Sequence, residues 1–405
     1  MLGLGLGLGL SRVGRSIVAI IRDGLKAFYR FRDTTPDFLL EGSTSFDGSD
    51  DYIDIGSDSS LNFGTGDFSL SLWVKGTDTD GVLYSSYDGS APHVYFRTHD
   101  SKLKFYMDSG GGDEVWSSTT LGVIDGQWHH IAVSVDRDVG VSMYIDGSLE
   151  NLSATGTIGS VGDLGSSEDF NIGRHPSDAT YWNGSIANVG IWNRALSASE
   201  IESIMWRGSY SELQHTELTN LVSWYDLDSI SVGSSLVTNG TFSSDTTGWS
   251  GGNASLASVS GGQSGNCIEI TMSSAGASLA YQWVAGLTSG KSYQFNAYVK
   301  SGTSGNDACK IELRASDGAE VLGTTSTTST DTWTKISVIG SPKSGQVGVY
   351  LYLIRTTTDA GTILFDTVSG DKVQVLDSKG SNDGDVYGAT VNTDSYSGTS
   401  PFKPR

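Results

Sequence analysis

Four aromatic residues stand at alternate positions of two strand-like segments. Tyr281 and Trp283 share one face of the run AYQWVAGL, and Tyr350 and Tyr352 share one face of VGVYLYLI. Pyranose rings present apolar C–H faces that pack on aromatic rings, while their hydroxyl groups need polar partners. These four residues are therefore candidate sugar contacts. In small sandwiches such side chains also fill the core, and the sequence leaves both interpretations open.

Acidic and histidine residues are the next candidates for chemistry. Retaining hydrolysis of a glycosidic bond needs two carboxylates about 5 Å apart, which alternate positions of one strand supply. The acidic residues instead fall in turns such as Asp50-Asp51. His129 and His130 adjoin no serine or cysteine nucleophile motif, so a structural role is favoured for both. We therefore predict no catalytic residue and a protein that is not an enzyme.

Composition and charge narrow the class of protein. The 405 residues include 53 glycines and only 6 prolines, which predicts short strands joined by tight turns. A formal net charge of −21 disfavours nucleic acid and anionic membranes as partners. The apolar run Ile17 to Ile21 is far shorter than the ~20 residues of a membrane-spanning helix. Cys267 and Cys309 form one disulfide at most, so the fold must rest on its apolar core.

The elements that must position these residues are predicted to be β-strands. Phe68, Leu70, Leu72 and Val74 alternate with polar or outward positions, which is typical of a strand. Residues 93–107 have the pattern of a hairpin, and residues 126–150 that of two long strands. The sequence therefore predicts an all-β fold of two antiparallel β-sandwich (jelly-roll) domains.

One short helix is predicted near residues 197–207. Ser197 and Glu200 are spaced as a capping box, and Gly208 supplies the expected stop.

The chain begins with an extended, one-sided segment. Leucine occupies every even position from 2 to 10 and glycine every odd position from 3 to 9. An extended strand places all five leucines on one face, so the segment is predicted to be an anchor that docks on another protein. A disordered tail is the alternative. Arg12 and Arg15 follow the apolar part, which is the reverse of a secretion signal. The residues of this anchor are Leu2, Leu4, Leu6, Leu8 and Leu10.

Five motifs carry a family resemblance. They are, in order, FDGSDDYIDIG, FSLSLWVK, WHHIAVSVD, MYIDG and YWNGSIANVGIWNRALSASEI. Together they resemble a concanavalin A-like jelly roll of the laminin-G-like type over roughly residues 23–208. The resemblance implies two curved antiparallel sheets packed face to face. Members that cleave glycans carry acidic residues in an ExDxxE arrangement, and this chain has no such run.

The same resemblance implies a structural calcium ion. Asp47, Asp50 and Asp51 are hard oxygen ligands in the matching FDGSDDY loop. Ala187 and Asn188 stand where relatives often carry an acidic pair, which departs from the family pattern. We expect no required cofactor, with calcium as the candidate ion.

Residues 235–370 form a second block of similar composition. Its start SLVTNGTFSSDTTGW, the pair GLTSGKSYQFNAYVK and the ending FDTVSG resemble a carbohydrate-binding module of the galactose-binding-like sandwich class. The resemblance implies another jelly roll with a sugar-binding face. Phe242 and Asp366 match places where relatives build a structural calcium site, with Asp245 or Ser243 replacing a more usual glutamate. Trp249 is expected in the core.

Two further segments resemble parts of a laminin-G-like unit. Residues 219–229 resemble its first strand, and residues 375–393 resemble the stretch that follows. We interpret them as the ends of a truncated second jelly roll that pair in space, with the second module inserted between them. The remnant is too small to make its own core, so we expect it to pack on a neighbouring domain or a second subunit. Coincidental turn sequence is the alternative. The predicted parts are the anchor (1–22), the first jelly roll (23–208), a linker with the remnant strand (209–234), the second sandwich (235–370) and a C-terminal segment (371–405).

A virion role reconciles extracellular-type domains with the N-terminal anchor. We predict a non-enzymatic structural protein of a bacteriophage virion: a capsid decoration, head fibre or tail appendage made in the host cytoplasm and displayed on the virion surface. Its expected partners are other virion proteins, copies of itself, with a trimer favoured by analogy with phage appendages, and a host-surface glycan. Cytoplasmic assembly favours free, buried thiols at Cys267 and Cys309. The alternatives are a secreted bacterial surface adhesin and a glycan-cleaving enzyme.

Overall fold

The computed structural model describes residues 37–392, except 41, 88, 121, 178, 229, 232–234, 275 and 304, together with residues 396–399. The predicted anchor residues Leu2 to Leu10 lie outside the described residues. In the described part of the chain, no helix is long and apolar enough to cross a membrane.

Antiparallel strands dominate the described residues, as the sequence predicts. The strands before the helix are β1 (Asp37–Leu40), β2 (Ser43–Asp47), β3 (Tyr52–Gly56), β4 (Phe68–Gly76), β5 (Val82–Ser85), β6 (His93–His99), β7 (Lys102–Asp108), β8 (Glu114–Ser118), β9 (Trp128–Asp136), β10 (Gly140–Ile145), β11 (Ser148–Leu149), β12 (Leu152–Ala154), β13 (Phe170–Ile172), β14 (Arg174–His175), β15 (Thr180–Tyr181) and β16 (Asn183–Trp192). The helix α1 spans Ala198–Ile204, and short 3-10 turns lie at Ser59–Leu61, Ile158–Ser160 and Tyr210–Glu212.

The remaining strands follow α1. They are β17 (Leu221–Tyr225), β18 (Ile230–Ser231), β19 (Ser250–Gly252), β20 (Ala254–Ser260), β21 (Asn266–Met272), β22 (Ser278–Ala285), β23 (Tyr293–Ser301), β24 (Ala308–Arg314), β25 (Val321–Thr328), β26 (Thr334–Gly340), β27 (Gly348–Arg355), β28 (Thr362–Lys372), β29 (Gln374–Val375), β30 (Gly384–Tyr387), β31 (Thr390–Asn392) and β32 (Tyr396–Thr399).

The first sandwich packs an eight-stranded sheet on a ten-stranded one. The eight-stranded sheet runs β11-β10-β9-β4-β16-β2-β31, with β17 also paired to β16. The ten-stranded sheet runs β12-β8-β7-β6-β5-β13-β3-β30-β29-β18. Their inner faces supply one apolar core that includes Phe68, Leu70, Leu72, Val74, Phe96, Phe105, Ile131 and Val133. The apolar alternation of β4 and the predicted hairpin of β6 and β7 are thus confirmed.

The second face of β4, which the alternation predicts to point outward, is buried as well. Ser69 and Ser71 are almost inaccessible, because α1 and the residues around it cover that side of the sheet. The Ser69 hydroxyl donates to the Arg194 carbonyl at 2.9 Å, and the Ser71 hydroxyl lies 2.8 Å from His130 Nε2. Buried polar groups of this kind must find partners, and these hydroxyls do.

The helix has the predicted capping box but ends earlier than predicted. The Ser197 side chain accepts from the Glu200 backbone N–H, and the Glu200 side chain accepts from the Ser197 backbone N–H. The helix stops at Ile204, so Gly208 lies beyond its end and does not cap it. Beyond the helix, the Asn188 side-chain amide donates to the carbonyls of Arg207 and Gly208 at 2.9 and 3.1 Å.

The two segments that flank the inserted module pack on the first sandwich, and they form no separate jelly roll of their own. β17, from the 219–229 segment, pairs with β16, and β30 and β31, from the 375–393 segment, pair with β3 and β2 of the first sandwich. The two segments do meet, since the Ser378 N–H donates to the Trp224 carbonyl at 2.8 Å. Both segments add strands to the sheets of the first sandwich. The edge strands there have unpaired backbone groups that the segments can bond, whereas a few short strands are not stable alone. The second module is therefore inserted into the first sandwich.

The inserted module is a sandwich of two five-stranded sheets. Their orders are β19-β22-β27-β24-β25 and β20-β21-β28-β23-β26. The core between them contains Phe242 and Trp249, as predicted for Trp249, together with Ile268, Phe295, Ile311, Leu351 and Phe365. Strand β28 then runs on into β29 and β30, so the same stretch of chain closes both sandwiches.

Candidate functional site

The four aromatic residues singled out in the sequence lie side by side on the inserted module. Tyr281 of β22 stands opposite Tyr352 of β27, and Trp283 stands opposite Tyr350. Directly paired residues of neighbouring strands point to the same side of a sheet. We call this surface the aromatic face.

The aromatic face points away from the core. Ala280, Val284, Leu351 and Leu353, which alternate with the four rings, are buried between the two sheets. The rings must then stand on the outer side, because successive side chains of a strand point to opposite faces. Trp283 is 37% exposed, and the three tyrosines are half-buried. The structure thus resolves the alternative that the sequence left open, and these rings do not fill the core.

The rings form one continuous cluster. Tyr281 and Tyr352 are stacked with their centroids 5.4 Å apart, and Trp283 meets Tyr350 edge-on at 5.0 Å. Tyr350 also lies 6.0 Å from Tyr281 and 6.1 Å from Tyr352. Because each ring contacts another, the cluster is held in place before any ligand arrives.

A charged row borders the aromatic face on the next strand. Lys310, Glu312 and Arg314 of β24 alternate with the buried Cys309, Ile311 and Leu313. Glu312 stands opposite Tyr352, and the Arg314 guanidinium lies 4.8 Å above the Tyr352 ring. This row was not among the predicted site residues. The alternation in ACKIELR indicates a strand with one polar face, but only the pairing of β24 with β27 places that face beside the tyrosines.

Glu312 binds the other two side chains of that row. Its side chain is only 1% exposed, it accepts from Arg314 Nε at 2.6 Å, and it pairs with Lys310 Nζ. Burial raises its pKa, but the hydrogen bonds from Lys310 and Arg314 outweigh burial and hold the pKa below its usual range. Glu312 is therefore an ionised group that positions two cationic side chains beside the rings.

The three aspartates of the predicted calcium loop are close together. Single carboxylate oxygens of Asp47, Asp50 and Asp51 lie within 4.8 Å of one another. Burial, with help from the charges of Asp47 and Asp50, raises the pKa of Asp51 to about 6, although the Asp47 N–H that donates to it opposes this. A Cβ at Gly388 would lie 2.0 Å from Asp51 Oδ1, so the C-terminal segment closes over the loop. Three crowded carboxylates with hard oxygens fit a calcium ion.

Asp366 does not join such a cluster. It is fully buried, and its carboxylate accepts from the backbone N–H groups of Ser264 and Thr367 at 2.9 and 2.6 Å. Asp245 is exposed and accepts from Thr247 and Asn239 instead. Among the described residues, the carboxylate, histidine and cysteine groups close enough to share an ion include neither of them. Asp366 is thus the one carboxylate of the predicted second calcium site that is buried, and calcium binding there stays a prediction.

The paired histidines occupy structural positions. His129 Nδ1 and Nε2 lie 2.8 and 3.1 Å from carboxylate oxygens of Asp146 and Asp125. Burial lowers the pKa of His129, but these two carboxylates outweigh it and raise the pKa overall. Burial lowers the pKa of His130 to about 4. The His129 imidazole ties strand β9 to the turns that carry Asp125 and Asp146, and the His130 imidazole contacts Ser71 of β4.

Cys267 and Cys309 are both buried thiols on opposite sheets of the inserted module. Burial raises the pKa of each to about 11. Both are therefore protonated and poorly reactive near neutral pH.

Fold and site together define a protein of two β-sandwiches, one of which carries a ring-lined outer face. Residues 47–202 match the family model described as the concanavalin A-like lectin/glucanases superfamily, and residues 234–359 match the one described as a carbohydrate binding domain. The chain therefore contains a concanavalin A-like domain followed by a carbohydrate-binding domain. No curated protein matches the chain.

Solved structures resemble parts of the chain. One is the two-module N-terminal fragment of Clostridium thermocellum endo-1,4-beta-D-xylanase 10B complexed with xylohexaose, at 22% identity over 34% of this chain and 28% of that chain, with a TM-score of 0.30. A xylan-binding domain from Paenibacillus barcinonensis is 18% identical over 36% of this chain and 97% of its own, with a TM-score of 0.29. Tailspike protein 4 of bacteriophage CBA120 is 12% identical over 34% of this chain and 21% of its own, with a TM-score of 0.28.

Proposed function

We propose that the inserted module binds a neutral glycan chain on the aromatic face. The observation that carries the proposal is the outward direction of Tyr281, Trp283, Tyr350 and Tyr352, which leaves four contacting rings on the surface of a carbohydrate-binding domain. Sugar rings pack their C–H faces on such surfaces. The net charge of −21 favours neutral over anionic polysaccharides.

The charged row supplies the polar half of the site. Lys310 and Arg314 are fixed by Glu312 at one border of the rings, so their donors are pre-organised for sugar hydroxyls. A site with an apolar floor and a few placed polar groups is typical of small-ligand recognition.

Binding of the full chain to soluble neutral polysaccharides such as xylan, β-glucan and galactan tests the proposal by isothermal titration calorimetry. Trp283→Ala is expected to weaken binding by at least about tenfold, because a ring that stacks on sugar contributes more than about 1.4 kcal/mol. The matched control is Trp333→Ala, which removes a half-buried tryptophan just before β26, a strand of the opposite sheet. The proposal is wrong if both variants bind as the native protein does, or if the two lose affinity equally.

We also propose that this binding is not accompanied by cleavage. Glu312, the carboxylate opposite Tyr352, is ionised and held by two cations, so it is a poor proton donor for glycosidic oxygen. The ligand found by calorimetry is incubated with the protein, and the expected result is no new reducing ends. Their appearance, lost in a Glu312→Gln variant, would favour the enzyme alternative.

The virion role is proposed for the whole protein on the strength of the N-terminal sequence. Leu2 to Leu10 are expected to fasten the protein to other virion proteins and leave the sandwiches facing a host-surface glycan. Deletion of residues 1–22 should abolish incorporation into purified particles, measured by mass spectrometry, while glycan binding persists. Undiminished incorporation would contradict the anchor, and a free form at the bacterial surface would favour the adhesin alternative.

A further inference from the structure

A histidine and two aspartates meet on the ten-stranded sheet, far along the chain from the predicted calcium loop. His93 begins β6, Asp108 ends β7, and Asp113 immediately precedes β8. One ligand atom from each lies within 4.8 Å of the other two. Because β6, β7 and β8 are neighbours in the sheet, strand pairing itself brings the three side chains together.

His93 is held at the cluster by hydrogen-bond contacts. Its Nδ1 lies 3.3 Å from the Ser90 carbonyl oxygen, and its Nε2 lies 2.9 Å from Asp113 Oδ1. A neutral imidazole has only one N–H, and the shorter contact fits a hydrogen bond from Nε2–H to the carboxylate. A divalent cation bound to Nε2 would take the place of this proton and bridge the imidazole and the carboxylate.

Hydrogen bonds from the surroundings orient both carboxylates. The Tyr95 hydroxyl donates to Asp113 Oδ2 at 3.3 Å, and the N–H groups of Gly110 and Gly112 donate to Asp108 Oδ1 at 2.6 and 3.0 Å. The backbone thus holds one oxygen of Asp108, and Asp113 is held by Tyr95 at one oxygen while its other oxygen faces His93. Hydrogen bonds of this kind to the rear of a ligand fix its direction and are typical of metal sites.

An ion from solution can also reach the three side chains. The side chain of His93 is 5% exposed and that of Asp113 is 43% exposed, so the group lies at the surface with its nitrogen shielded. The Tyr87 ring covers the imidazole with centroids 4.1 Å apart.

We propose that His93, Asp108 and Asp113 bind a divalent transition-metal ion of the zinc class. One imidazole nitrogen and two carboxylate oxygens suit zinc, whose ligand distances are about 2.0–2.2 Å, whereas calcium prefers six to eight oxygens. The exposed side of Asp113 leaves a further coordination position facing solvent. The site differs from the Asp47, Asp50 and Asp51 loop in both residues and donor type, and it does not depend on glycan binding.

Zinc binding by the full chain tests the proposal directly. Chelator-treated protein is dialysed against zinc chloride, and the expected result is one zinc ion bound per chain with a raised melting temperature. Asp108→Asn should weaken zinc binding by at least about tenfold. This variant keeps Oδ1 as an acceptor for Gly110 and Gly112, so the turn is preserved.

Two control variants separate this site from others. His99→Ala removes the half-exposed histidine at the other end of β6, which pairs with Asp80 and Asp100, and should leave zinc binding unchanged. Asp51→Asn should also leave it unchanged. The proposal is overturned if native protein and Asp108→Asn bind zinc equally, if native protein retains none at micromolar zinc, or if calcium competes for the site as well as zinc does.

Discussion

Asp51 holds its proton more tightly than an ordinary aspartate because it is buried beside two other carboxylates. Its pKa rises from 3.8 to about 6, which makes the loop of Asp47, Asp50 and Asp51 a source of repulsion whenever no cation is bound. The repulsion among these carboxylates lowers stability when no ion is bound, and a calcium ion bound between them would relieve it. At the scale of single residues, the raised pKa of Asp51 is the property that can be measured most directly.

The pH dependence of stability should reveal Asp51. Between its unfolded and folded pKa values the folded protein keeps a proton that the unfolded chain has released, so stability falls as pH rises from about 4 to about 7. Asp51→Asn should remove this loss and stabilise the calcium-free protein near neutral pH by about 2 kcal/mol. Urea unfolding at several pH values measures the difference. Asp138→Asn, at an exposed turn, serves as the control and should change little.

Calcium should reverse the effect in the native protein. Millimolar calcium is expected to raise the melting temperature of the native chain and to have a much smaller effect on Asp51→Asn, because one ligand is lost. Equal shifts in both proteins would show that calcium acts elsewhere.

At the scale of elements, the helix α1 begins where the local sequence predicts it. Its N-terminus has the reciprocal Ser197 and Glu200 hydrogen bonds, and Arg194 binds both oxygens of Glu200 at 2.8 and 3.0 Å. The hydrogen bonds of Arg194 hold the pKa of Glu200 at about 2 despite partial burial. Ile201 and Ile204 then pack with Trp192 and Trp224 over the eight-stranded sheet.

Removal of the cap should destabilise this element measurably. Ser197→Ala is expected to lower the free energy of unfolding by about 1 kcal/mol, because the Glu200 N–H loses its acceptor. Ser199→Ala, one position inside the helix, is the matched control and should cost less than half as much. Chemical unfolding followed by tryptophan fluorescence measures both, and an equal loss would contradict the capping role.

The position of strand β30, in contrast, is set by its packing against the core and not by a local sequence signal. Gly384 lies so close to the core that an added Cβ would stand 2.5 Å from Ile53 Cγ2 and 3.0 Å from Ile55 Cγ2. Gly384→Ala should therefore destabilise the protein by about 1–3 kcal/mol through overpacking. Gly159→Ala, where nothing lies within 4 Å of an added Cβ, should be nearly neutral. Thermal unfolding of both variants checks this, and a neutral Gly384→Ala would mean that β30 docks more loosely.

At the scale of the whole molecule, the two sandwiches are joined by more than chain connection. Lys291 of the inserted module forms an ion pair with Asp385 of β30, and the Ser292 N–H donates to the Val386 carbonyl at 2.8 Å. The Tyr387 ring beside them stacks on Tyr52 of β3 with centroids 4.2 Å apart. The segment that closes the first sandwich thus also contacts the base of the inserted module.

Truncation tests this architecture. A chain that ends at residue 372 keeps β28 but lacks β29 to β32 and the buried Val373, Val375 and Val386, each worth about 1.5–3 kcal/mol. We expect its first unfolding transition to fall by at least about 10 °C relative to a chain that ends at residue 399. Scanning calorimetry makes the comparison. Unchanged transitions would mean that the first sandwich folds without the C-terminal segment.

The sequence by itself determined the features that depend on residues close together along the chain. Alternation along β4, β6, β7, β9 and β10 identified the strands, and the spacing of Ser197 and Glu200 identified the helix start, because both signals come from residues that share one face or one turn. The same alternation placed Tyr281 with Trp283, and Tyr350 with Tyr352, on common faces.

Only the tertiary structure decided which side of each strand is buried and which distant segments pair. Alternation states that two rings share a face but not whether that face is inside, so the outward direction of Trp283 and the charged row around Glu312 needed the second sheet. Residues 221–225 and 384–392 read equally well as strands of a separate unit. Their true partners lie across an inserted domain, and the choice among sheet edges depends on burial summed over the whole molecule, which no local pattern contains.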